Sequence, residues 1–463
     1  MPDTQTHIKQ RIEQAHKRAR AWQRPVLASY TWEISAFDAF EIIQNTDTSH
    51  YYFMTPDRTL EMLGCGDALV LSASGPERFQ RLQYDWSLHR RDVDATIHAF
   101  AGFSFDTFMR PQKSMWDAFG EASLVVPKFL YRRYKDRHTL TVTTLVSSKQ
   151  SVEQYLIQLA DQLAQFSSLR PTEEAPPSYT RVKDGVDHFK SSFQQAKQLI
   201  EEERVEKIVI AREEIYQRSD DALFPFAKSL KHLADHQESS YIYLYQPKRD
   251  IGFFGATPER LIQKEGMQLN TAAIAGTIKR PKTEIEADLA KEKLLNDLKN
   301  REEHQIVVKD IKQALTPYTA PIQTQDIPQI LANRSVFHLH TPIQATLETN
   351  ASLLSLAESL HPTPALGGSP KRTSVRLLRE IERFDRGWYG SPFGWIDNEG
   401  DGEFVVAIRS ALVQHQFVAL YAGCGIVRDS ALEQELEETE IKMSPIKQAL
   451  QFDLHDQGGT LDE

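Results

Sequence analysis

The stretch FGWIDNEGDGEFVVAIRSALV, residues 393–413, sets the tightest limit on the fold. An Asp-Gly turn separates two runs of strand-forming residues, and FVALYAGCGIV, residues 417–427, supplies a third. Connections this short join antiparallel neighbours, because parallel strands need a crossover of about a dozen residues or more. The chain is therefore expected to build antiparallel sheet near its C-terminus, with Arg409 on the second of these strands.

The same reading extends N-terminally. Runs such as DALVLSAS, HAFAGFSFDTF and HTLTVTTLVS give the first 150 or so residues a sheet character. The helical segment SVEQYLIQLADQLAQF then leads into SSLRPTEEAPPSYTRVKDG, whose prolines and polar residues bury too little apolar area to order themselves. A boundary is placed there, giving a β-rich half over 1–170 and a second half over 180–453. The second half opens with a helix, HFKSSFQQAKQLIEEER, and a strand, EKIVIARE, and is expected to carry one long charged helix from about Lys291 to Ala314.

Whole-chain properties exclude several function classes. A formal charge of −10 over 463 residues argues against nucleic acid, whose binders concentrate positive charge. No apolar run is long enough to span a bilayer, and the basic start IKQRIEQAHKRARAW reads as an amphipathic surface helix instead of an export signal. Two cysteines outside any CxxC pair suit a reducing compartment, so a cytoplasmic location is expected. The chain lacks GxxxxGK[ST], GxSxG and HExxH. DNEGDGEF opens like a calcium loop, yet the twelfth position from Asp397 is Ile408, where a bidentate glutamate is required. His338 and His340 share a strand face but have no third soft ligand nearby.

The acidic segment ELEETEIK follows a glycine-broken strand. At about 100° per residue, Glu435, Glu438 and Lys442 share one helix flank, beside an apolar stripe of Leu436, Met443, Ile446 and Leu450. Ser444-Pro445 reads as a helix break and restart. On a second helix, Glu303 shares a flank with Ile306 and Val307, and a carboxylate at a semi-buried surface needs a partner. Two such helices can share a hard divalent cation, or each can form ordinary i, i+4 surface pairs.

In chain order, EKIVIAR, GATPERL, AAIAGTIKR, NREEHQIV, HLHTPIQATL, LHPTPALGG, RGWYGSPFGWID, FVVAIRSA, YAGCGIV and ELEETEIK resemble the motifs of the chorismate-utilising enzymes, over about residues 180 to 450. The first 170 residues are similar to the N-terminal half of menaquinone-type isochorismate synthases. The resemblance implies an α/β (α+β) fold in which antiparallel sheets flanked by helices surround a central pocket, both halves forming one unit. It implies chorismate as substrate and Mg2+ as cofactor, with Glu303 and Glu438 as ligands and Glu435 as a supporting carboxylate. Arg409 and Tyr389 match the residues that grip the enolpyruvyl carboxylate. Gly276, Gly423 and Gly425 match positions of close backbone approach, and Lys442 adds a cation beside the site. Thr277, His338, Thr363, Ala365, Leu366, Ile408 and Cys424 complete the expected pocket.

Forming isochorismate requires water to attack C2 while the C4 hydroxyl departs and the double bonds shift. By resemblance, Lys207 is the base for that water and Glu259 the acid for the leaving hydroxyl. Ala275 stands where aminodeoxychorismate synthases carry a lysine nucleophile, and Lys207 stands where anthranilate synthases lack one. Ala365 favours the synthase over salicylate synthase, the nearest alternative; a non-catalytic chorismate-binding relative is the other. A monomer without a membrane or nucleic-acid partner is expected.

Overall fold

A computed structural model of the protein describes residues 2–93, 95–107, 114–166, 178–220, 222–332 and 336–451. In chain order the strands are β1 (Val26–Glu33), β2 (His50–Met54), β3 (Leu60–Ala73), β4 (His98–Phe103), β5 (Ala122–Tyr134), β6 (Arg137–Val146), β7 (Tyr179–Lys183), β8 (Lys207–Arg218), β9 (Tyr241–Lys248), β10 (Ile251–Thr257), β11 (Arg260–Glu265), β12 (Gln268–Lys279), β13 (Gln329–Ala332), β14 (Val336–Thr346), β15 (Gly368–Ser369), β16 (Pro392–Asp397), β17 (Gly402–Val406), β18 (Ser410–Gln414) and β19 (Phe417–Ile426). The helices are α1 (Pro2–Trp22), α2 (Ala39–Asn45), α3 (Arg78–His89), α4 (Val152–Phe166), α5 (Val186–Glu201), α6 (Phe226–His236), α7 (Glu284–Asn296), α8 (Leu298–Leu315), α9 (Leu353–Leu360), α10 (Lys371–Ile381) and α11 (Leu432–Ala449).

The strand ladders are antiparallel and branch at β5. One edge of β5 pairs with β3; the other pairs with β4 over its first part and with β6 over its last. From β3 one branch runs through β2, β9, β10, β18 and β19 to β8. From β4 the other runs through β16, β17, β11, β12 and β14 to β13. An aromatic core fills the space between the branches, with Tyr51, Phe100, Trp116, Tyr243, Phe253, Trp388 and Phe393 all buried. Helices cover the outer faces: α3, α8, α9 and α10 over one apolar cluster, and α1, α2, α6 and α11 over another. The expected α/β architecture of antiparallel sheets flanked by helices is present. Much of the proline-rich stretch falls at 167–177, outside the described residues, and strands from before and after it pair as β2–β9 and β4–β16. No helix among the described residues is long and apolar enough to cross a membrane.

Three local expectations are corrected. The run GEFVVAIRSALV is not one strand: it breaks at Ala407–Arg409, β17 stays with β11 and β16, and β18 joins β10 and β19. Arg409 sits at that corner with φ of 51° and not on a strand. The charged helix is two helices, because Asp297 ends α7 in an extended conformation and caps α8, accepting from Asn300 N at 2.8 Å. Finally, α11 runs unbroken through Pro445. Burial of Met443, Ile446 and Ala449 in the core offsets the lost helical hydrogen bond, while Leu436 packs on a different cluster, so the expected stripe divides.

Charge also ties α11 to the sheet. Glu214 on β8, 1% exposed, accepts from Arg212 at 2.6 Å and from the Tyr216 hydroxyl at 2.7 Å, and pairs with Lys447 of α11 at 2.9 Å. Glu440 of α11 also pairs with both Arg212 and Lys447. Removing Glu214 leaves two buried cations short of a partner, so Glu214→Ala is expected to cost about 3–5 kcal/mol. Urea unfolding measures this; a loss below about 1 kcal/mol, the scale of an exposed pair, would show that the network adds no more than surface pairing.

Candidate active site

A cavity of about 720 Å³, counting the space at its mouth, opens between β12, β14, β19, α8 and α11. Residues far apart in sequence meet there because each is carried by an element with a local reason to stop or bend. Gly276 sits in a β-bulge of β12 against β14 at φ of +74°, which glycine accepts at no steric cost. A side chain at this position would press on Asn300 of α8 at 3.1 Å, and Asn300 Oδ1 accepts from Thr277 N at 3.1 Å. The bulge thereby brings α8, and with it Glu303, against the cavity wall.

Of the residues expected at the pocket, Glu259, Gly276, Thr277, Glu303, His338, Ala365, Leu366, Tyr389, Ile408, Arg409, Gly423, Gly425, Glu438 and Lys442 line this cavity. Glu435 lines the adjoining opening together with Glu303 and Glu438. Lys207, at the start of β8 and 1% exposed, reaches the same place from behind Gly425: a Cβ on Gly425 would stand 2.5 Å from Lys207 Cε. Besides Lys207 and Glu435, two expected residues do not line the cavity. Cys424 points the other way on β19, as strand alternation requires, and packs in the core between the glycines that do line it. Thr363 is buried beside the wall, its carbonyl accepting from Leu366 N and Gly367 N at 3.0 and 2.9 Å.

The site is a set of paired charges, Lys207 buried and Glu303, Glu438 and Lys442 half-buried. Lys207 Nζ lies 2.7 Å from Glu303 Oε1, and Lys442 Nζ lies 2.5 Å from Glu438 Oε1 and donates to Gly423 O at 2.8 Å. Burial pushes the Glu303 carboxyl up, but the Lys207 ammonium beside it wins, and it is held below the ordinary carboxylate range. Lys442 shows the mirror image: burial pulls it down, Glu438 outweighs that, and it rests above the usual lysine value. Glu435 is raised by burial and by repulsion from Glu438. Glu259 has no such partner within contact. Burial pushes it up to about 7, against the pull of Lys442, Lys207 and Arg409. His338 is lowered to about 3 by burial and by Arg409 and Lys442, so it is a neutral imidazole; its Nδ1 is 2.9 Å from Thr277 Oγ1 and its buried Nε2 has no hydrogen-bond partner. Arg409 is buried with its backbone in the left-handed region, a strain of about 1–3 kcal/mol that concentrates at functional sites.

The cavity also has walls that motif reasoning passed over. Tyr421 alternates with Gly423 and Gly425 along β19, so the two-residue strand period was the available signal. Val209 follows Lys207 on β8 by the same period. Among the described residues no three His, Cys, Asp or Glu side chains enclose a metal ion by themselves.

Residues 10–451 match the family of chorismate binding enzymes. The chain is similar to isochorismate synthase MenF of Bacillus subtilis, at 34% identity over 96% of this chain and 98% of that protein. It is also similar to a salicylate biosynthesis isochorismate synthase of Pseudomonas aeruginosa, at 32% identity over 95% of this chain and 93% of that one. Among solved structures, the menaquinone-specific isochorismate synthase MenF from Escherichia coli shares the fold, with a TM-score of 0.80, 24% identity, and coverage of 95% of this chain and 99% of that one. Anthranilate synthase component I from Streptococcus pneumoniae shares it more loosely, with a TM-score of 0.64, 18% identity, and coverage of 91% and 92%.

The burial of Glu259 makes stability depend on pH. Its carboxyl sits at about 7 when folded against an ordinary 4.5, so the folded state holds more protons between these values. Stability contributed by the protonated form is present below the lower value and declines as pH rises through the window. Glu259→Gln cannot titrate, and is expected to gain on the wild type from about pH 4.5 to about pH 7 by an amount on the order of 2–3 kcal/mol. Urea midpoints at a series of pH values test this; a difference that stays flat across the window overturns it.

Proposed function

Because this chain belongs to the chorismate binding enzyme family, we infer that it is an isochorismate synthase, an enzyme that isomerises chorismate to isochorismate. The observation that carries the reading is a buried carboxylic acid on the cavity wall, Glu259, raised to about 7, with a buried amine, Lys207, directly behind Gly425 and bonded to Glu303 of the same wall, among charges suited to a dianion.

On this reading Arg409 and Lys442 hold the substrate's carboxylates, with the guanidinium of Arg409 suited to a two-point grip and the Tyr389 hydroxyl beside it. Lys207 acts as the free amine, the ammonium proton that pairs it with Glu303 having first gone to solvent; it takes the proton of the water that adds to C2, and Glu259 gives its proton to the C4 hydroxyl, which leaves as water while the ring double bonds shift. Lys207 ends as the ammonium and Glu259 as the carboxylate; a proton returned from one to the other through solvent resets the pair. A carboxyl near 7 keeps a large protonated fraction at neutral pH, which an acid catalyst needs. The neutral His338 lines the cavity with Nε2 unpartnered, and on this reading offers a hydrogen bond to substrate.

The donor set suits Mg2+: Glu303, Glu435 and Glu438 supply hard oxygens at one opening, from α8 and α11. Magnesium is commonly held by one or two carboxylates plus water and substrate oxygens, so a closed protein cage is not required. Bound there, it would supply positive charge for the ring carboxylate. Glu303 and Glu438 would hold it, with Glu435 supporting.

Incubating the pure protein with chorismate and Mg2+ and separating the products tests the function. Isochorismate alone is expected, and chelation by EDTA is expected to stop its formation; salicylate plus pyruvate would make the chain a salicylate synthase, and no turnover would make it a binding protein. Lys207→Ala is expected to lose about 10²- to 10⁴-fold in kcat while still binding chorismate. Normal turnover in that variant would remove Lys207 from the base role. Gly425→Ala places a methyl 2.5 Å from Lys207 Cε and is expected to lower kcat by about 10- to 100-fold through the displaced amine. The outcome against it is unchanged kcat in a folded variant.

A further inference from the structure

The edge of β8 behind the cavity has an unfilled gap. Its other edge pairs with β19 along most of its length, but on this edge β15 covers only Lys207 and Ile208, and β7 begins again at Ile215. Between them, the Val209 carbonyl and the Ala211 N–H have no strand to bond. Buried backbone groups rarely go unpaired. Here two side chains, each 4% exposed, stand in for the missing strand: Arg386 Nη2 donates to Val209 O at 2.6 Å, and Ala211 N donates to Glu382 Oε1 at 2.6 Å. Arg386 grips Glu382 through Nε and Nη2 at 2.7 and 2.5 Å. Its remaining reach goes to Leu366 O, 2.9 Å from Nη1, and its own carbonyl accepts from Tyr389 N at 2.9 Å. Phe105 closes the guanidinium from one face, its ring centre 4.4 Å from Cζ.

Val209, Leu366 and Tyr389 all line the cavity; Arg386 and Glu382 do not. We propose that the buried Arg386–Glu382 pair is the positioning device of the substrate cavity, fixing from behind the three wall segments that carry Val209, Leu366 and Tyr389. Lys207 lies two residues before Val209 on the same strand, so the pair also fixes the strand end from which the amine projects. This rests on the isochorismate synthase reading above, and assigns both residues an indirect role in that reaction.

The test compares Arg386→Lys and Glu382→Gln with the exposed Arg383→Lys as control. Lysine carries one compact charge and cannot bond Glu382, Val209 O and Leu366 O together. Glu382→Gln keeps an acceptor for Ala211 N but loses the charge that orients the guanidinium. In folded Arg386→Lys, kcat with chorismate is expected to fall about 10- to 100-fold with a raised KM, as for a misplaced wall, and Glu382→Gln to shift the same way by less. Near-UV circular dichroism and thermal melting establish the folded fraction in each sample. Losses that only track that fraction, or unchanged kcat and KM in either folded variant, overturn the proposal. If Arg386→Lys does not fold, Glu382→Gln decides alone. A wild type that forms no isochorismate overturns the functional reading instead, whatever the variants do.

Discussion

A charge taken out of water must find an opposite charge or enough hydrogen bonds, and this requirement organises the protein around its cavity. Lys207 is nearly inaccessible and is met by Glu303 from a helix roughly a hundred residues further along the chain. Glu214 is met by Arg212 on its own strand and by Lys447 from α11; Arg386 is met by Glu382 and two backbone carbonyls. Such pairs contribute little net stability, because desolvation consumes most of the Coulombic gain. Their effect is specificity. A shift of α8 or α11 against β8 would strand a buried charge, so the elements that carry the acidic and basic groups have few alternative placements.

The sheet contributes by failing at chosen points. A regular strand sends alternate side chains to opposite faces and leaves no room for a ligand between packed layers. At Gly276 a bulge opens the ladder, at Ala407–Arg409 the chain changes neighbours, and at Val209–Ala211 the strand edge is finished by side chains. Each interruption borders the cavity. Arg409 illustrates the gain: on a continuous strand it would point to one sheet face, whereas the corner turns it inward, where its backbone carbonyl also accepts from Ala256 N at 3.0 Å.

Much of this was legible in the sequence, and the limits have physical causes. Helix periods put Glu435, Glu438 and Lys442 together. The order of motifs pointed to the residues that line the cavity. Arg409 was misread because VVAIRSALV is uniformly strand-forming, and only the neighbours available on each side decide where the run divides. The split at Asp297 was marked by Asn296-Asp297, a weak helix former followed by a capping residue, a signal easily outweighed by the surrounding charge pattern. Pro445 inside α11 reverses a strong local rule because the packing of Met443 and Ile446 overrides it. Arg386 opens the motif RGWYGSPFGWID and stands four residues after Glu382, but its proposed positioning role could not be read there, because the backbone carbonyls of Val209 and Leu366 are brought to it only by the fold.

The poise of Glu259 follows from the same balance of burial and charge. Burial alone would drive its carboxyl far upward, and Lys442, Lys207 and Arg409 pull it back towards neutrality. Those cations are the groups proposed to face the substrate, so the acid and the binding charges are coupled. When a dianion enters, its carboxylates offset the cations and weaken their pull on Glu259, while water leaves the cavity. Both changes favour the protonated carboxyl. On the proposed reading, a bound dianion would therefore favour the protonated form of Glu259, the form an acid for the leaving hydroxyl needs.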